Sequence, residues 1–83
     1  LVHGLVAGQA EQAVAELGRG IPVTGDITTD TGAAELLAQC QGETIDILVN
    51  NYGTADAGSW TESATDDWLL AYQRNVLSAQ RLI

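Results

Sequence analysis

Residues 45–49, Ile45-Asp46-Ile47-Leu48-Val49, form a nearly unbroken apolar run with one carboxylate inside it. A short run without alternation marks a strand covered on both faces, as in the middle of a parallel sheet. Parallel strands are joined by crossovers, usually helices, so helical segments must flank such a run. The chain supplies them. Ala10, Ala13, Val14 and Leu17 recur at helical spacing, and Gly18-Arg19-Gly20 supplies a stop. Ala33, Leu36, Leu37 and Cys40 form a second stripe running to about Gln41, with Thr29, Asp30 or Thr31 as its cap and Gly42 after it. Residues 1–3 read as the tail of one strand and 21–25 as another. Pro22 cannot donate to a ladder, so the 21–25 strand is expected at an edge and 45–50 as the most buried strand.

A loop rich in Gly, Ala, Ser and Thr follows over 51–64, and Thr65 is expected to cap a last helix over 65–83, with Asp66 and Asp67 in its first turn. Strand and helix alternating with short connections specify a right-handed, doubly wound parallel α/β sheet. The pattern amounts to three βα units, a partial fold, and the chain is expected to be an internal stretch of a larger domain. The last helix carries apolar residues around most of its circumference, more than one sheet-facing stripe requires. That surplus must meet either further parts of the same chain or another subunit, with Leu77 and Ala79 as the candidate outward residues.

The formal charge is -8, from 11 acidic and 3 basic residues, and the basic ones are all arginine. Binding to phosphate backbones or to an acidic membrane surface needs clustered positive charge, so neither partner is expected. No apolar run approaches the roughly 18 residues that span a bilayer, and Leu1-Val2-His3-Gly4 has no signal-like character. A lone cysteine, Cys40, fits a reducing cytoplasm and reads as a small buried apolar side chain. No metal site is expected.

Ligands of open α/β sheets bind outside the carboxyl ends of the strands. Two segments stand there: Gly25-Asp26-Ile27 and Asn50-Asn51-Tyr52-Gly53. An aspartate there accepts from an amine or hydroxyl, the adjacent main chain can donate to a ring nitrogen, asparagines offer both roles, and a glycine lets a ligand approach the backbone. The stretch Asp46-Ile47-Leu48-Val49-Asn50-Asn51-Tyr52-Gly53 resembles the D-x-L-V-N-N-A-G segment of the short-chain dehydrogenases/reductases. Asp26 after the preceding strand and Asn75 in Arg74-Asn75-Val76 also match that family, Asn75 standing 25 positions after Asn50 (75 − 50). The resemblance covers essentially the whole chain. It implies a Rossmann-like NAD(P)-binding domain, spanned here from its second strand to the helix after its fourth, and an oxidoreductase moving hydride between NAD or NADP and a small alcohol or carbonyl substrate.

The resemblance further implies that Asp26 accepts from the adenine amine with the Ile27 main chain beside the ring. Asn50 would stabilise the central sheet, and Asn51, Tyr52 and Gly53 would line the cofactor channel near the adenosine ribose. Asn75 would be the helix residue whose distorted backbone holds a water of the proton relay. Three departures stand out. Tyr52 replaces the usual alanine, so its ring must fit beside the channel or swing away. A chain without lysine cannot hold the family's Tyr-x-x-x-Lys, so the catalytic Ser, Tyr and Lys are expected after Ile83 and the isolated 83 residues are expected to be inactive. The position that usually separates NAD from NADP falls near Gly4 or Leu5, where there is neither acid nor base.

Gly4-Leu5-Val6-Ala7-Gly8-Gln9-Ala10 imitates the family's phosphate loop, but the 22 positions from Gly4 to Asp26 (26 − 4) leave no room for the intervening helix and whole second strand that the family adds there. The true loop is expected before Leu1. Two other readings compete: a Rossmann-like methyltransferase, against which the lack of proline after Asn50 counts, and a non-enzymatic acidic α/β interaction domain.

Overall fold

The computed structural model describes residues 1–55, 58–59 and 61–83. Its elements are β1 (Val2–Gly4), α1 (Gln9–Leu17), β2 (Pro22–Thr24), α2 (Asp30–Gln39), α3 (Thr65–Tyr72), a π-helical turn (Gln73–Leu77) and α4 (Ser78–Gln80). β1 and β2 pair in parallel, with Val2 opposite Pro22, His3 opposite Val23 and Gly4 opposite Thr24. Helix α1 is their crossover, ended by Gly18 in the left-handed conformation at φ 74°. The first βαβ unit thus forms as the sequence specifies. The His3 ring reaches across the sheet, its Nε2 lying 2.7 Å from the Gly25 carbonyl. A carbonyl only accepts, so the imidazole proton sits on Nε2.

β2 has a free edge, as Pro22 requires. The side-chain amide of Gln39 covers it: Thr24 N–H donates to Oε1 at 2.9 Å, and Nε2 donates to the Thr24 carbonyl at 2.6 Å. The amide mimics one rung of a neighbouring strand and so satisfies the edge groups that template unwanted pairing. The core is small. Val23, Ile27 and Leu36 form it, with Leu5, Cys40, Tyr52 and Leu82 half-buried against them. α2 packs closely enough that a Cβ on Gly32 would overlap the Asp26 carbonyl, and one on Gly25 would press into Leu36. Thr29 caps this helix, its Oγ1 accepting from Gly32 N–H at 3.0 Å.

Two expectations are corrected. Residues 45–50, expected as the most buried strand, run without a ladder, and residues 41–51 are all exposed, with Ile47 at 81% and Val49 at 78%. A strand exists only through a neighbour, and burial on both faces needs covering helices. Neither reaches this run among the described residues, where β1 and β2 are the only strands. The radius of gyration, 14.6 Å, accordingly exceeds the roughly 12 Å of a compact chain this long. The last helix also differs. Thr65 is its first residue rather than its cap, and the Asp67 carboxylate accepts from Ala64 N–H at 2.8 Å instead. The helix is interrupted by the π turn, and Leu77 and Ala79 are half-buried while Trp68, Leu69, Tyr72 and Val76 face outward. The loop expected over 51–64 includes positions 56, 57 and 60, which lie outside the described residues. No described helix is long and apolar enough to cross a membrane.

Gln39→Ala removes both edge hydrogen bonds. The expected loss is about 1 kcal/mol of stability, since the site is exposed and water replaces part of the interaction, with a rise in self-association as β2 is uncovered. Urea denaturation and light scattering of the full chain measure the two effects.

Candidate functional site: the carboxyl end of the sheet

β2 ends at Thr24, and the chain turns over Gly25-Asp26-Ile27-Thr28. The turn is closed by Asp26, whose Oδ1 accepts from Thr28 N–H at 3.0 Å and from Thr28 Oγ1 at 2.6 Å. This is an Asx turn, which aspartate forms readily because its short side chain reaches the main chain two residues on. The Thr28 hydroxyl, then the Thr28 amide, and more weakly the Arg81 charge hold the Asp26 carboxyl below its ordinary value, against a small opposing effect of burial. Asp26 is exposed. An ionised acceptor therefore stands at the carboxyl end of β2, with a second oxygen uncommitted to the turn. Ile27 beside it buries its side chain to 2% exposure and turns its carbonyl toward Arg81 Nη1 at 3.2 Å.

A second cluster gathers around Asn75. Its Oδ1 accepts from Thr54 N–H at 2.8 Å, and its Nδ2 donates to the Ala71 carbonyl at 3.0 Å. One carboxamide thereby ties the Asn51-Tyr52-Gly53-Thr54 segment to the helix, 21 positions away. A Cβ at Gly53 would stand 3.0 Å from Asn75 Oδ1, so glycine spares the carboxamide a small shift at this contact. Thr54 Oγ1 is shielded from solvent and has no hydrogen-bond partner among the described residues. Asn75 lies inside the π turn. π turns weaken the regular i→i−4 ladder and concentrate at functional sites. Here side chains fill in: Asn75 serves the Ala71 carbonyl, and Ser78, 1% exposed, donates to the Arg74 carbonyl at 2.6 Å.

The remaining candidates are placed as follows. The Tyr52 ring swings inward, half-buried against the Val23, Ile27 and Leu36 cluster, so it backs the Asp26 turn from the core side. Asn51 is exposed and joins neither set of hydrogen bonds. Asn50 is also exposed and lies outside any ladder, so the sheet-stabilising role expected for it is not realised among the described residues. The imitation phosphate loop is satisfied internally. Gln9 Oε1 accepts from Leu5 and Val6 N–H at 2.9 and 3.3 Å, and Glu11 Oε2 from Gly8 N–H at 3.0 Å. A carboxylate at that spot repels a phosphate.

Arg81 is the participant that sequence reasoning missed. It donates through Nε to Asp30 Oδ1 at 2.6 Å, through Nη1 to Ile27 O and through Nη2 to Gln73 Oε1 at 2.8 Å. Its partners Asp30 and Ile27 lie 51 and 54 positions earlier, beyond any local pattern. Thr28 was missed as well, although Asp-x-Thr is a signal for an Asx turn.

The architecture is that of a parallel α/β protein with the Asp26 turn at the carboxyl end of β2, and the chain belongs to the short-chain dehydrogenases/reductases, a family of oxidoreductases. The family model that matches, over residues 3–83, is described as enoyl-(acyl carrier protein) reductase. No curated protein and no solved structure matches the chain significantly.

Asn75→Ala removes the acceptor of Thr54 N–H and a donor from the π turn together. The expected cost is about 1–2 kcal/mol, typical of lost side-chain to main-chain hydrogen bonds with one group left poorly satisfied. Thermal denaturation of the full chain measures the cost, and faster amide exchange at Thr54 locates it.

Proposed function

We propose that this chain belongs to an NAD(P)-dependent enzyme that transfers hydride between NAD or NADP and a small alcohol or carbonyl substrate. We further propose that it spans that enzyme's dinucleotide domain from the second strand to the helix after the fourth. The observation that carries the reading is the Asn75 carboxamide, which joins the Asn-Asn-Tyr-Gly segment to a π turn within a chain matching the family over residues 3–83. The strand pattern supports it. In a doubly wound sheet of order 3-2-1-4 the second and third strands are neighbours, whereas the fourth lies beside the first. β1 and β2 pair accordingly, and residues 45–50 pair with neither of them among the described residues.

The residues suit a dinucleotide. Asp26 is held ionised and exposed, and accepts from the adenine amine, with the Ile27 main chain beside the ring. Asn51 and the bare backbone of Gly53 line the channel near the adenosine ribose. Tyr52 contributes main chain there, its ring being committed to the core. When bound, the nicotinamide accepts or donates the hydride. Asn75 steadies the backbone that holds a relay water, so that a proton can follow. The Ser, Tyr and Lys that act on the substrate lie outside this stretch, which has no lysine. Gly4 and Leu5 bring neither acid nor base to the coenzyme-selecting position, so the reading covers both coenzymes. A reducing cytoplasm fits the unpaired Cys40.

Asp26→Ala in the full-length enzyme is expected to weaken dinucleotide binding by roughly 1.5–3 kcal/mol, one hydrogen bond to a charged group, with the fold intact. Calorimetric titration with NADH and NADPH measures it, and unchanged affinity for both returns Asp26 to a turn residue.

The same reading makes 65–83 a subunit interface in a homodimer or homotetramer. Trp68, Leu69, Tyr72 and Val76 line an open apolar groove of about 510 Å³ on this helix, and soluble proteins seldom leave such a face uncovered. Leu69→Glu places a charge there twice per two-fold contact. A fall in the mass measured by light scattering is expected, and a wild type already monomeric at micromolar concentration overturns the interface.

A further inference from the structure

Arg81 is the least exposed end of an ion pair whose other end is in water: its side chain is 13% exposed, that of Asp30 91%. Such a pair contributes little stability by itself. The geometry around it serves another purpose. All three nitrogens of the guanidinium are committed, to Asp30 Oδ1, Ile27 O and Gln73 Oε1. A planar fork that donates in three fixed directions orients its acceptors as a single ammonium cannot. The acceptor that matters is the Ile27 carbonyl. Holding it fixes the peptide plane shared by the Ile27 carbonyl and the Thr28 N–H, and that N–H donates to Asp26 Oδ1, so Arg81 acts on the carboxylate through Thr28. Gln73 opens the π turn that contains Asn75, so the same side chain joins the Asp26 turn to the distorted segment of the last helix.

We propose that Arg81 is a positioning residue for base recognition, setting the Asp26-Ile27 turn in the register that reads an adenine rather than another purine. The proposal rests on the dinucleotide reading above. Adenine offers a donor at its 6-amino group and an acceptor at N1, which suits a carboxylate beside a main-chain N–H. Hypoxanthine reverses both, with a 6-oxo acceptor and an N1–H donor, and meets repulsion at both places. Discrimination between the two bases requires the carboxylate and the peptide to be held together at one spacing. Arg81 supplies that constraint from behind, without touching the ligand.

The test compares NADH, or NADPH for a chain that prefers it, with the corresponding hypoxanthine dinucleotide. Affinities are measured by titration on the full-length enzyme, its Arg81→Gln, Arg81→Lys and Asp30→Ala variants, at a temperature where circular dichroism shows each folded. The wild type is expected to prefer the adenine form. In Arg81→Gln the adenine form is expected to bind roughly three- to tenfold more weakly, the loss of about one positioned hydrogen bond, while the hypoxanthine form is unchanged. Arg81→Lys restores the charge but not the fork and is expected to recover little of the preference. A general loss of structure would weaken both dinucleotides alike and leave their ratio intact, so a wild-type ratio in Arg81→Gln overturns the proposal, as does full recovery by lysine. If Arg81→Gln does not fold, Asp30→Ala decides, because it removes the acceptor of the Nε arm at an exposed site. A narrowed ratio there supports the proposal and an unchanged one overturns it. A wild type that does not discriminate removes the reading of Asp26 itself, and the role of Arg81 with it.

Discussion

The last helix is held to the sheet through main-chain carbonyls and amides more than through apolar contact. From this helix Leu82 reaches the Val23, Ile27 and Leu36 cluster, while Asn75 binds Thr54 N–H and Arg81 binds the Ile27 carbonyl. Main-chain groups removed from water must find partners, and hydrogen bonds are directional where apolar contact is not. Two such ties, six residues apart on one helix, therefore fix where both strand-end segments lie relative to it. The arrangement at the carboxyl end of the sheet follows from that constraint.

The π turn is part of the same device. Inserting a residue into the helical ladder changes which side chains share a face, and it leaves carbonyls poorly served by backbone amides. Asn75 and Ser78 donate to the Ala71 and Arg74 carbonyls, so the distortion is held by the side chains within it. Asn75 is then aimed with one end at the helix and the other at Thr54.

Close approach on the other side of the turn comes from small residues. Gly32 lets the first turn of α2 lie against the Asp26 carbonyl, and Gly25 admits Leu36. Between that helix and Arg81 the Asp26 turn has little freedom, and the Asx closure by Thr28 removes more. The Tyr52 ring, packed behind Ile27, extends the support. The bulk that distinguishes this chain from the usual alanine thus enters the core and not the open face beside Gly53.

Local features of the chain were legible because they are set by neighbours in sequence. The two helical stripes, the stop at Gly18, the cap at Thr29, the edge position of β2 and the parallel β1–β2 pairing all follow from periodicity, capping chemistry and the missing amide of Pro22. The motif Asn51-Tyr52-Gly53 with Asn75 downstream carried the family, and Asp26 was legible as a strand-end acceptor. The tertiary structure decided what depends on distant partners. Residues 45–50 have the composition of a buried strand, but composition supplies no neighbour, and without one the run stays exposed. The direction of the Tyr52 ring, the outward choice of Val76 over Leu77, and above all the place of Arg81 between Ile27, Asp30 and Gln73 depend on contacts made across the fold. A sequence states which groups can bond, and only folding brings residues some fifty positions apart within reach of one guanidinium.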